Sequence, residues 1–240
     1  MHDTQGLIDN ININLWKSLI CIHEISILRE NRNDYLAHSQ NGKTIIYVPI
    51  SNPNPASFCH ELLHIFLRTK NVFIGVGLKL SIKENHILSA VFSDKLLDHI
   101  GNCLDHIKIY PEFIKLGYSS SDFISDYYEN KFTTEELNDI KTHFVKQTFL
   151  GKSYNKSAIN LFIGKYFAVK ACPNKSIDYS CCINELNKID ANLFNILQNF
   201  YTAWHNFDYN NEDPIKGDYY QFLFEFIHDL EKWVNKKKIK

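Results

Sequence analysis

The stretch Cys59-His60-Glu61-Leu62-Leu63-His64 carries two histidines four positions apart, with a glutamate directly after the first. On a helix, residues four apart share a face, so His60 and His64 can hold one metal ion together. Glu61 projects about 100° further round the helix. From there it reaches a water on such an ion, which suits a general base. Phe58, Cys59, Leu62, Leu63, Ile65, Phe66 and Leu67 fill nearly every other direction. A helix apolar on most sides is normally buried. Two histidines and a glutamate on its one polar sector are then costly without partners, and a metal ion satisfies all three. The competing explanation is an exposed polar face that Arg68 extends.

Such a helix needs elements to position it. Ahead of it, Ile25–Leu28 and Tyr35–His38 read as strands, with a turn signal at Asn41-Gly42. Lys43–Ile50 contains the β-branched and aromatic run Thr44-Ile45-Ile46-Tyr47-Val48, the best strand in the chain. Pro49 suits an edge strand or a strand end. As an edge beside the metal helix, this strand can hold an extended peptide by backbone pairing. Asn54 is placed to cap the helix and Pro55 to occupy its first position, so the helix runs from Pro55 to about Lys70.

Elsewhere, Leu7–Ile22 has helical apolar spacing, and Gly75 and Gly77 mark a loop. Ile82–Ile109 reads as helical, with Pro111 as its stop. Gly117 begins another break. Thr133 and Glu136 have capping-box spacing and open a helix to about Thr148. Further helices are expected at Lys156–Lys170, Asn184–His205 and Tyr219–Lys237. The fold class is α+β and mostly helical: a small N-terminal mixed sheet with the metal helix, followed by a helical C-terminal half. The expected division is 1–118 as the core and 119–240 as a helical extension packed on it.

The strand Lys43–Val48, the turn and the helix bearing His60-Glu61-Leu62-Leu63-His64 resemble the zincin superfamily of zinc metallopeptidases. The segment also resembles the ImmA/IrrE-like branch, in which a strand leads into the H-E-x-x-H helix. The resemblance implies a zinc ion, hydrolysis of peptide bonds, His60 and His64 as ligands and Glu61 as the base. A catalytic zinc site usually has three protein ligands and an open position. After His64 the sequence reads Ile65-Phe66-Leu67-Arg68-Thr69-Lys70, without the Gly and His of the metzincin motif, so the third ligand comes from elsewhere. The next helix carries Asp94, Asp98, His99, Asn102, Asp105 and His106, largely on one polar stripe, with Gly101 allowing close approach of another backbone. Some zincins have an Asn-x-x-Glu/Asp step on the helix after the metal helix. By that likeness Asp105 is the third ligand, and His106 is the alternative.

Composition narrows the partners. The 240 residues include 26 basic and 27 acidic side chains, a formal net charge of −1, which is a poor electrostatic footprint for nucleic acid. No apolar run is long enough for a membrane-spanning helix, and the N-terminal residues lack the regions of a signal peptide. The six cysteines are scattered, with no C-x-x-C pair. That argues against a zinc finger or a disulfide framework and for buried free thiols in a reducing cytoplasm. Phe222, Phe224, Phe226 and Trp233 read as core positions of the last helix, and Lys236-Lys237-Lys238 as a solvated run at its negative end. The expected function is a cytoplasmic zinc metallopeptidase acting on a protein or peptide, with no nucleic-acid or membrane partner. The alternatives are a catalytically silent zincin-fold sensor, scaffold or protein-binding module, and a toxin or effector protease of narrow specificity.

Overall fold

The computed structural model describes residues 3–40, 42–149, 151–211 and 218–240. In chain order the elements are α1 (Ile13–Ile20), β1 (Glu24–Glu30), β2 (Leu36–Gln40), β3 (Lys43–Pro49), α2 (Pro55–Thr69), α3 (Ile74–Glu84), α4 (His86–Ser89), α5 (Asp94–Leu116), α6 (Thr134–His143), β4 (Val145–Thr148), β5 (Gly151–Tyr154), α7 (Lys156–Lys170), α8 (Ser180–Ile189), α9 (Ala191–Asn206) and α10 (Tyr220–Asn235). The fold is α+β and mostly helical, with the small mixed sheet near the N-terminus, as its sequence pattern implies. Contacts divide the chain into two compact units, 1–73 with 108–128, and 74–107 with 129–240.

In the first unit the sheet order is β1-β3-β2. β3 runs parallel to β1, with Ile27 opposite Ile46, and antiparallel to β2, with Ala37 opposite Ile46. The strand expected at an edge is therefore the central one. Its composition explains this: Ile46 and Val48 are fully buried and Thr44 nearly so, and the most β-branched strand gains most from neighbours on both sides. Pro49 is the strand end, where its missing N–H costs no ladder bond. Asn41 of the expected turn lies outside the described residues, while Gly42 has a φ of +75°. Ile25, Ile46 and Val48 pack with Trp16 and Leu19 of α1 and Phe58, Leu62 and Ile65 of α2. Fully buried Asn12 ties this core together, donating from Nδ2 to the Leu7 and Pro55 carbonyls.

Several local expectations are corrected along the rest of the chain. Gly75 and Gly77 are not loop residues but lie inside α3. A Cβ on Gly75 would come 2.8 Å from the Cα of Gly101 on α5, so helix glycine is used here for the close approach foreseen for Gly101. Pro111 does not stop α5, which continues to Leu116. Proline removes one N–H, but fully buried Ile109 and Phe113 hold the turns on either side. Gly117, with φ of +113°, provides the break. The capping box forms: Thr133 Oγ1 accepts from the Glu136 N–H, and a Glu136 carboxylate oxygen accepts from the Thr133 N–H. The helix it opens ends at His143, and β4, where the helix was expected to continue to about Thr148, forms an antiparallel hairpin with β5. The helix expected from Asn184 to His205 is two, because Asp190 ends α8 and caps α9 by accepting from the Leu193 N–H. On α10, Phe226 and Trp233 are core residues but Phe224 is exposed. Phe226 stacks on Phe200 of α9 at 4.0 Å between ring centroids.

Candidate metal centre

α2 begins as its sequence dictates. Asn54 Oδ1 accepts from the N–H groups of Ala56 and Ser57, and Pro55 fills the first turn. This fixes the helix phase, and with it the direction of the polar sector. That sector is not a solvated face: His60 and Glu61 are each only 8% exposed, among buried Phe58, Cys59, Leu62, Leu63 and Ile65. The His60 and His64 Nε2 atoms face each other at 3.2 Å. That is the length of an imidazole–imidazole hydrogen bond, and two nitrogens bound tetrahedrally to one zinc at its usual bond length also stand about 3.3 Å apart. Burial, and then the neighbouring His64, hold the His60 pKa down at about 3. Its imidazole is therefore neutral at pH 7, as a ligand must be. The His60 ring lies 4.7 Å from that of Phe123, which in turn packs edge-on against Tyr110 and Phe113.

α5 carries the two candidates for a third ligand. Asp105 is 3% exposed and His106 is half-buried. One residue along a helix is a rotation of about 100°, so the two side chains leave α5 in different directions. Of the other polar residues on α5, Asp94 and Asp98 form ion pairs with Lys83 and Lys79 of α3. His99 lies 3.1 Å from the Gly164 carbonyl, and Asn102 is exposed. The Tyr110 hydroxyl is engaged with Ser120 Oγ at 2.8 Å.

Glu61 has a partner that sequence reasoning missed. Its Oε2 accepts a 2.7 Å hydrogen bond from the backbone N–H of Ala37 on β2. The missing signal was the sheet order, since β2 rather than β3 is the outer strand beside α2. Burial raises the Glu61 pKa; His64, the Ala37 amide and Arg32 act against that rise. Cys59 offers no competing nucleophile or ligand, because burial pushes its thiol up to about 12.

No family model, no curated protein and no solved structure matches this chain. Among the described residues, no helix is long and apolar enough to cross a membrane.

Proposed function

We propose that the chain is a zinc-dependent metallopeptidase in which His60 and His64 hold the ion and Glu61 is the general base. The observation that carries this reading is the 3.2 Å separation of the His60 and His64 Nε2 atoms, with a carboxylate buried one position along the same helix. The donor pair fits zinc: imidazole nitrogens suit it, and a site of three protein ligands keeps the open position that catalysis needs. When bound, zinc supplies a Lewis acid that polarises a carbonyl and acidifies water at neutral pH.

The remaining work falls to the chain. Glu61, anchored through Oε2 to the Ala37 amide, keeps Oε1 for proton transfer. It takes a proton from the attacking water and delivers it to the departing amine. Its raised pKa favours the second step, since a carboxyl that holds a proton more tightly is easily loaded near neutrality. β2 is an outer strand of the sheet and packs against α2, so the part of its edge beyond the Ala37–Glu61 bond can align an extended peptide by main-chain pairing. Six cysteines, all of them free thiols, agree with a reducing, cytoplasmic setting.

The test is metal analysis with matched variants. Protein purified without chelator should carry about one zinc per chain, and His64→Ala should lose it. Glu61→Gln should keep zinc and abolish cleavage of unstructured peptides. Wild-type protein that stays metal-free after zinc dialysis, or a Glu61→Gln variant that still cleaves, would overturn the assignment. Zinc retention without cleavage of a broad peptide library would instead support the silent or narrow-specificity alternatives.

A further inference from the structure

The residues after α10 do not simply fray. The backbone N–H of Tyr154 donates to the Lys238 carbonyl, that of Lys240 to the Tyr154 carbonyl and that of Lys156 to the Lys240 carbonyl. Ile239 thus bridges Tyr154 in parallel and extends the β4–β5 hairpin by a short third strand. Lys237 fastens this arrangement, reaching Asp190 at 2.8 Å and the Tyr154 hydroxyl at 3.2 Å.

This pairing gathers charge that the sequence keeps far apart. Residues 141–156 contain Lys141, Lys146, Lys152 and Lys156 and no Asp or Glu; residues 234–240 contain four lysines and no acid. Lys141 and Lys237 are used in ion pairs. Lys146, Lys152, Lys156, Lys236, Lys238 and Lys240 take part in none among the described residues. Lys146 opposes Ser153, and Lys152 opposes Gln147. By strand alternation those two lysines leave opposite faces of the ribbon and straddle its tip. At that tip Phe149 is fully exposed, and Val145 at the base of the ribbon is also open to solvent.

We propose that this basic ribbon is a peripheral docking site for an anionic lipid surface, with Phe149 as the inserting side chain and Lys146 and Lys152, on either side of the tip, meeting the headgroups. An uncovered Phe at a hairpin tip, with cations on both sides, matches an apolar wedge entering a soft interface beneath a negative surface. A nucleic acid would instead call for a row of exposed rings along a groove, and among the described residues of the ribbon Phe149 is the one exposed ring. The site departs from the expectation of no membrane partner, which considered helices alone. It does not rest on the peptidase reading, and zinc-free protein should dock equally well.

The experiment is co-sedimentation of the full chain with vesicles of phosphatidylcholine alone or containing about one-third phosphatidylserine. Binding is expected only with phosphatidylserine, and it should weaken as salt rises. A paired Lys146→Gln, Lys152→Gln variant should bind about thirtyfold more weakly, from roughly fivefold per lysine. Phe149→Ser should bind about tenfold more weakly, with an unchanged unfolding midpoint because all three positions are exposed. Phe149→Trp should give blue-shifted emission on the anionic vesicles beyond that of the native tryptophans. Absence of binding at low salt, or binding indifferent to these substitutions, would overturn the proposal. So would tighter binding to a single-stranded polynucleotide with no blue shift.

Discussion

His60 and Glu61 in one unit are buried titratable side chains, and Asp190 and Lys237 in the other are partly withdrawn from water. Their surroundings differ in kind. Asp190 meets complementary groups in every direction: the Leu193 N–H, the Trp233 indole N–H and the Lys237 ammonium. Burial pulls the Lys237 pKa down, but hydrogen bonds to Asp190 and Tyr154 outweigh this and leave it raised. At His60 the balance is reversed: burial and a second imidazole both oppose the charged form. The first arrangement holds two helices and the C-terminal tail together. The second gives up folding energy to keep the neutral His60 imidazole beside that of His64, the kind of cost that functional sites carry.

The largest expected effect lies on the structural side of this contrast. Asp190→Ala removes a helix cap and strands a half-buried ammonium, so it should cost about 3–5 kcal/mol in urea unfolding. A loss under 1 kcal/mol would show that the two clusters differ less than their contacts imply. Next comes the metal. Zinc at about a hundredfold excess over its dissociation constant should stabilise the wild type by about 2.7 kcal/mol, and His64→Ala should remove the effect.

The pH response should separate the clusters further. The His60 pKa is depressed from 6.5 to about 3 in the folded chain, so between those values the unfolded chain binds more protons. The contribution is intact above 6.5 and is lost as pH falls towards 3, with a slope of at most about 1.4 kcal/mol per pH unit. Lys237, with a raised pKa, contributes stability that is lost only as pH climbs past 10.5. Acid titration of zinc-free His60→Phe should therefore be flatter than that of the wild type; an equally steep curve would place the acid-sensitive group elsewhere. The smallest effect belongs to Glu61→Gln. The amide oxygen can still accept from Ala37, and no charge need be buried, so stability should stay within about 0.5 kcal/mol of wild type or rise slightly.

The parts of the fold that follow local rules are legible in the sequence. Asn54-Pro55 starts α2, Thr133 and Glu136 start α6, and Asn155 caps a helix whose expected span of Lys156–Lys170 is the observed one. His60, Glu61 and His64 were legible for the same reason, since their spacing lies within one helix. What failed depends on partners distant in sequence. Gly75 looks like a breaker until Gly101 is set against it. β3 looks like an edge until β1 pairs on its far side. His106 and Asp105 are equivalent candidates along the chain, because a third ligand comes from another helix and no local spacing singles it out. The Ala37 amide has no signature at all, because a backbone donor is the same in every residue.

The pairing of the C-terminal tail with β5 also bears on how the chain acquires its shape. Tyr154 and Lys237 are 83 positions apart, so the hairpin leaves a ribosome well before its third strand exists. A two-stranded ribbon alone is marginal in water, and closing so long a loop is slow relative to forming the helices between. The ribbon is therefore expected to consolidate last, after α7 to α10 have packed. Its exposed Phe149 would make it the segment most open to self-association during that interval.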